Sequence, residues 1–518
     1  MRRGSRFLIA AAGPLLVAPL IIAAQALPAS AASGKLLVTT LGRTGVARLS
    51  QIIAWNTGQQ AQFLGNSGKS FSVPDGQYAV LAGIEDGPAD TLAEALVTVS
   101  GTGTTRVTLD ARKGKLVKVT LDGKPVTDFV DARICAGPIA TVEGFQSGGA
   151  LYVVPTSSHL FSSSYLAATQ GAVVSGKATP GIPASLGGAW TSSQLAKVTL
   201  VVRSGELISD DTSFALQTQG ANNAVDCHND LSGPVTHGPA PYRATTLVSP
   251  GTWDVRTDDS ATIGGQSFGV GGYGVNRTFT AGHSYQYTYY TAAWAPVTSL
   301  AELRPGGISY GEPLFADPDG NGSQDAEKYS FTLSVNGHVI TRKNTTDWGT
   351  SLQGYFISTR TAGWYTLTDD VTRFHPGLDF TKGTLSPRVT FAFHFFANPA
   401  VITAQDFPLI AGFGSKFVPR GLTPTNSAAP SSQTTVAITP FRPASQDGPS
   451  PADSVTKLQA WSSADGAHWT ALTVTRSASG YSVVVRNPAS GHVSLRATVT
   501  GSHGDTSTET IYRAYAIS

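Results

Sequence analysis

The chain is short of cysteine, methionine and charge. Two of its 518 residues are cysteine, Cys135 and Cys227, and neither sits in a paired metal-ligand spacing, with His228 a lone neighbour of Cys227, so a zinc site is poorly supported. The single methionine is Met1. Charged residues make up 14% and the formal net charge is +2. Nucleic acid needs clustered Lys and Arg to displace its counterions, and it is excluded as a partner. Hydrophobic residues still reach 41%, so low charge here does not signal disorder and the chain can bury cores. Beyond the N-terminus no run approaches the ~18 apolar residues that span a bilayer, and no amphipathic helical periodicity stands out.

What is present begins with an export signal. Arg2, Arg3 and Arg6 give a basic start, Phe7 to Ala24 form an apolar run, and Ala29-Ser30-Ala31 supplies the small residues of a cleavage site. That order predicts a signal peptide over residues 1–31. The competing reading, a membrane anchor, is opposed by Pro14 and Pro19 within a short run. The expected location is secreted and extracellular, with no membrane insertion after cleavage. In an oxidising compartment Cys135 and Cys227 have one pairing open to them, and a disulfide is expected over two buried thiols.

Glycine (56) and proline (30) are plentiful and aperiodic, which suits many short strands joined by many turns. A length of 518 residues exceeds one core. The strand and turn pattern divides the mature chain into 32–131, 132–299, 300–400 and 401–518. In the third unit Asn336-Gly337 is a two-residue hairpin signal. Arg388 to Phe395 alternates so that Val389, Phe391, Phe393 and Phe395 share one face. In the last unit, turns every eight to twelve residues match a sandwich. The fold class is all-β: tandem β-sandwich domains.

Two resemblances sharpen this. Val73-Pro74-Asp75-Gly76-Gln77-Tyr78-Ala79-Val80 resembles the segment before a core strand of small transthyretin-like sandwiches. Ser463-Ala464-Asp465-Gly466 with Trp469, Val493-Ser494-Leu495-Arg496 and Arg513-Ala514-Tyr515 resemble the immunoglobulin- or fibronectin-like C-terminal sandwich of large secreted actinobacterial subtilisin-like peptidases. Val107 to Arg112, and Trp364 to Leu367 with Arg373, resemble other strands of the same non-catalytic region. The resemblance implies an accessory part of a protease without its catalytic domain: the nearest serine segment, Gly349-Thr350-Ser351-Leu352, and His237-Gly238-Pro239 are both off pattern.

Four local patterns remain. Gly265-Gln266-Ser267-Phe268-Gly269 fits the nucleophile-elbow formula, which works only on a strand-to-helix turn. The acid pairs Asp210-Asp211, Asp258-Asp259 and Asp369-Asp370 are adjacent in sequence, whereas glycosidases need carboxylates facing across a cleft. Asp317, Asp319, Asn321 and Asp325 alternate around a glycine turn as in a calcium loop, but Lys328 stands where the bidentate acid belongs, so calcium competes with a plain solvated turn. Tyr285, Tyr287 and Tyr289 lie on one face of a strand, either as a sugar-stacking surface or as ordinary sheet packing. No catalytic residue is assigned. The expected function is a secreted, non-enzymatic protein for extracellular binding, adhesion or a protease-accessory role, with an extracellular protein or polysaccharide as partner. An extracellular hydrolase with its site in the second unit and a structural cell-surface spacer are the alternatives.

Overall fold

The structure is a computed structural model. It describes residues 33–518 apart from 138, 204–210, 219–226, 228–231, 239, 264–265, 297–300, 311–314, 320–322, 325–326, 345–354, 374–383, 403–411, 443–452 and 479. The expected signal peptide therefore lies outside the described residues. Among the described residues no α-helix occurs, only the 3-10 turns Ala111–Lys113, Ser192–Gln194 and Pro399–Val401 between strands, so the protein is all-β. Nor, among the described residues, is any helix long and apolar enough to cross a membrane.

The N-terminal sandwich packs a four-stranded sheet on a six-stranded one. The Asp75-Gly76 signal marks a corner: Ser70–Pro74 pairs with Ser33–Leu41 in the first sheet, whereas Gly76–Asp86 runs through the second. Gly76 has φ of 154°, a conformation that favours glycine. Two residues on, the Tyr78 hydroxyl donates to the Pro74 carbonyl at 2.7 Å and locks that corner. Leu36, Val38, Ile52, Tyr78 and Val80 fill the space between the sheets. The other face of the six-stranded sheet is buried too: Trp55, Ala79, Leu81 and Leu92 share a second core with Val130, Ala132 and Ile134. This explains the unbroken apolar run Tyr78 to Ala82, the mark of a strand covered on both sides.

That double coverage corrects the boundary at 131. Ala150–Val153, assigned to the second unit, joins the six-stranded sheet parallel to Ala89–Val99. The rest of the second unit supplies a seven-stranded sheet running from Ala140–Gln146 to Ser284–Tyr289 and a four-stranded sheet of the Asp211–Thr218, Ser232–Gly238, Gly251–Ile263 and Gln266–Phe279 strands.

A second boundary, at 400, does not exist as a break in the sheet. Arg388–Ala397 pairs antiparallel with Thr506–Ile517, from Arg388 opposite Tyr512 to His394 opposite Thr506. The third and fourth units thus share one nine-stranded sheet. The physical reason is that both strands are interior to the sheet, so pairing them leaves neither as an open edge. On Arg388–Ala397, Val389, Phe391, Phe393 and Phe395 are buried as expected, and Arg388, His394 and Phe396 are exposed. Across the core lies a four-stranded sheet whose Phe417, Val436, Ile438 and Val483 pack with Val493, Leu495 and Ile511 of the long sheet. The Asn336-Gly337 turn has both φ angles positive, 50° and 82°, and closes Val335 on His338 as a two-residue hairpin should.

Candidate functional site

Burying one face of the nine-stranded sheet leaves the other to solvent, and strand period sets what that face shows. Gly363–Arg373 turns Trp364, Thr366, Thr368, Asp370 and Thr372 outward. Register places Trp364 beside Phe396, Thr366 beside His394, Thr368 beside Ala392 and Asp370 beside Thr390. Threonines continue the rows across the next two strands, with the Thr498 and Thr508 hydroxyls 2.8 Å apart and Arg496 Nε donating to Thr510 Oγ1 at 3.0 Å.

The ends of this face differ. At one, the Trp364 and His394 rings stack with centroids 4.9 Å apart and 13° between planes, and Phe396 meets Trp364 edge-on at 5.9 Å. Trp364 is 37% and Phe396 57% exposed, a large apolar area to leave in water. Thr366 Oγ1 lies 3.0 Å from His394 Nδ1 and fixes the imidazole against the indole. At the other end, Arg388 makes a two-pronged pair with Asp370 at 2.7 and 2.6 Å and lies over Tyr512. The hydrogen bonds to Asp370 raise the Arg388 guanidinium above its ordinary range, burial opposes them, and the charge of Asp370 adds to the rise. Between the ends is a shallow depression of about 340 Å³ floored by Ser330, Thr332, Thr368, Thr390 and Thr508. Ring, hydroxyls and a neutralised ion pair on one flat surface can stack on a ligand's apolar face and hydrogen-bond its edge.

Of the two readings of the tyrosine stripe, burial favours sheet packing. Tyr289 is fully buried, and Tyr285 and Tyr287 lie half-covered against Phe279, with centroids 5.2 and 6.3 Å away. Arg277 sits over the Tyr287 ring, and the Thr280 amide donates to the Tyr285 hydroxyl at 3.1 Å. The stripe faces a hairpin from the same chain, so its rings are spent on packing. Cys135 and Cys227 form a disulfide with Cα atoms 5.8 Å apart, and Ser164 Oγ donates to the Cys227 carbonyl. In the calcium-like loop, Asp317 is buried and its Oδ1 accepts the Asp319 amide at 3.1 Å, the geometry of an Asx turn. Asn321 and Asp325 lie outside the described residues.

The catalytic patterns fare differently from one another. Ser267 lies within Gln266–Phe279, opposite Thr262 in an antiparallel hairpin, not on a strand-to-helix turn. Ser351 and Asp210 lie outside the described residues. Asp258 and Asp259 stand mid-strand opposite Ser213 and Thr212. Asp369 points into the core and Asp370 out of it, so this pair cannot face one cleft. His468 Nδ1 does meet Asp465 Oδ2 at 2.6 Å, but at a solvent-exposed turn where Ser463 Oγ donates to the same aspartate. Hydrogen bonds from His468, first through its side chain, hold the Asp465 carboxyl far below its ordinary range and raise the imidazole in return.

The C-terminal motifs converge into a single structural cluster. Asp465 Oδ1 accepts the Ala467 and His468 amides at 2.8 Å and shapes the turn before Trp469. Arg496 lies 3.9 Å over the Trp469 ring, Tyr512 meets that ring edge-on, and Ser494 Oγ accepts the Arg513 amide at 3.0 Å. The Tyr515 hydroxyl donates to Asn487 Oδ1 at 2.9 Å. These residues build the sheet. The exposed Phe396, by contrast, carries no motif; only its place in the alternation, after Phe395, could have singled it out.

No protein-family model matches the chain, and no curated protein matches it. Among solved structures it is similar to a putative membrane anchored protein from Corynebacterium diphtheriae, at 11% identity over 76% of this chain and 96% of that one, TM-score 0.14. A streptococcal ancillary pilin aligns at 9% identity over 49% of this chain and 98% of its own, TM-score 0.12. A leucine-rich repeat protein from Bacteroides thetaiotaomicron aligns at 9% identity over 50% of this chain, TM-score 0.13, and the chain spans a quarter of that protein's length. At TM-scores this low the alignments say nothing about what the chain binds.

Proposed function

We propose that this chain is an exported, non-enzymatic binding protein that holds an extracellular polysaccharide on the outer face of its nine-stranded sheet. The observation that carries the reading is the exposed Trp364–His394–Phe396 cluster beside a depression floored by hydroxyls. An aromatic ring stacks on the C–H face of a sugar while hydroxyl and amide-like groups meet its rim. The Asp370–Arg388 pair cancels its own charge, which favours a neutral polymer over an acidic or basic one. Export is supported by the N-terminal residues and by the disulfide, which persists in oxidising compartments. A non-enzymatic role is supported by Ser267 lying in a hairpin strand and by Asp369 and Asp370 pointing to opposite faces.

The test is retention of the mature chain on insoluble cellulose, chitin and cell-wall peptidoglycan, compared with the Trp364→Ala/Phe396→Ala double variant. Retention of the mature chain on one of these, lost in the variant, supports the reading. Equal retention of both would place the ligand elsewhere.

A further inference from the structure

Val455–Ser463 pairs with Gly491–Gly501, which turns through Ser502 to Gly504 into Thr506–Ile517. This pairing brings Asp453, two residues before the first strand, against the turn that carries His503 and Asp505. Among the described residues these three form the one group of histidine and acidic side chains whose ligand atoms all lie within 4.8 Å of one another.

One half of Asp453 is fully employed. Its Oδ1 accepts the Ser454 amide, the Ser502 amide and the Ser502 hydroxyl, each at 2.7 Å, with His503 Nδ1 at 3.4 Å. The other half is not. Asp453 Oδ2 and both oxygens of Asp505 are buried with no donor from any other residue; burial first and the facing Asp453 second push the Asp505 carboxyl up, so without an ion the two can meet only by holding a proton between them. The Asp453 side chain has no exposed area, and Asp505 is 2% exposed. The three oxygens converge on one spot: a Cβ at Gly501 would collide with all of them. Two facing carboxylates withdrawn from water without donors are costly, because each lacks compensation and each repels the other. A cation removes both costs at once.

We propose that Asp453, His503 and Asp505 bind a divalent cation at this end of the long sheet. Carboxylate oxygens alone would suit calcium or magnesium, but an imidazole beside them suits Mn²⁺ or Zn²⁺. The His503 side chain is 57% exposed, so it closes the site from the solvent side, where ion entry and remaining water ligands would lie. The same turn borders the aromatic end of the outer face: a Cβ at Gly504 would stand 3.5 Å from the Trp364 ring. The ion would therefore hold the rim against which Trp364 rests. The site stands on its own geometry and does not depend on what the face binds.

The experiment is calorimetric titration and thermal melting of the mature chain, stripped with EDTA and then given Mn²⁺, Zn²⁺ or Ca²⁺. Mn²⁺ or Zn²⁺ should bind with near one-to-one stoichiometry and raise the melting temperature, since it binds only the folded state. Asp505→Asn should abolish the response while melting no lower than the metal-free parent. His503→Ala, at an exposed position, should weaken Mn²⁺ or Zn²⁺ at least tenfold. Asp319→Ala, in the separate calcium-like loop, should leave the response intact. No binding by the parent, a response that survives Asp505→Asn, a response lost in Asp319→Ala, or calcium binding indifferent to His503→Ala would each overturn the proposal.

Discussion

The backbone N–H of Ser415 donates to Glu509 Oε2 at 2.9 Å across the interior of the C-terminal sandwich. Ser415 belongs to Gly414–Pro419 of the short sheet and Glu509 to Thr506–Ile517 of the long one, so this bond ties the two layers through their core. Burial pushes the Glu509 carboxyl up to about 8, with the Ser415 amide only partly opposing it.

A pH dependence follows from that shift. Glu509 holds a proton in the folded protein at pH values where the unfolded chain, with its carboxyl near 4.5, has lost it. The folded state then binds more protons, so stability is full below about pH 4.5 and falls as pH rises toward 8. Asp131 is raised as well, by burial first and by Glu143 second, and acts in the same direction. Glu509→Gln mimics the protonated acid. Chemical denaturation at pH 5 and pH 8 should show a smaller loss in this variant than in the parent.

The disulfide should contribute on the order of 2–4 kcal/mol, because it closes a long loop in the unfolded chain. Cys135 and Cys227 are 92 residues apart. Replacing both by serine should lower stability by that order in denaturant titration. Thiol labelling of the untreated secreted protein should modify neither cysteine.

Trp469→Ala removes the ring that Arg496 and Tyr512 pack against. It should cost about 1–3 kcal/mol, the range for losing a half-buried aromatic with its cation–π partner. Urea denaturation reads it directly. If these motif residues serve the fold, ligand retention per folded molecule should not change.

Strand identity was legible where period 2 was clean. Arg388 to Phe395 shows its buried and exposed faces in the letters themselves, and Asn336-Gly337 specifies its turn through backbone conformation alone. Pairing was not legible. Nothing local in Arg388–Ala397 says that its neighbour is Thr506–Ile517, since that partner lies more than a hundred residues away in the chain. The sequence left the stripe of Tyr285, Tyr287 and Tyr289 open between a stacking surface and packing, because the Phe279 strand that covers it is chosen by tertiary pairing. Asp453 and Asp505 meet only through the pairing of Val455 with Gly501, so no spacing rule could have joined them. The Asp465 turn was visible as a motif, but its residues proved to be architecture.

The most direct measurement of the central claim is a binding isotherm on whichever insoluble polysaccharide retains the mature chain. The comparison is between the parent, Trp364→Ala/Phe396→Ala, and Leu49→Ala. Leu49 is 89% exposed and lies in the N-terminal sandwich, away from the long sheet. All three proteins should melt alike. The double variant should lose at least tenfold in affinity, and Leu49→Ala should match the parent. A double variant that binds as tightly as the parent, with all three folded, would contradict the assignment of the binding face.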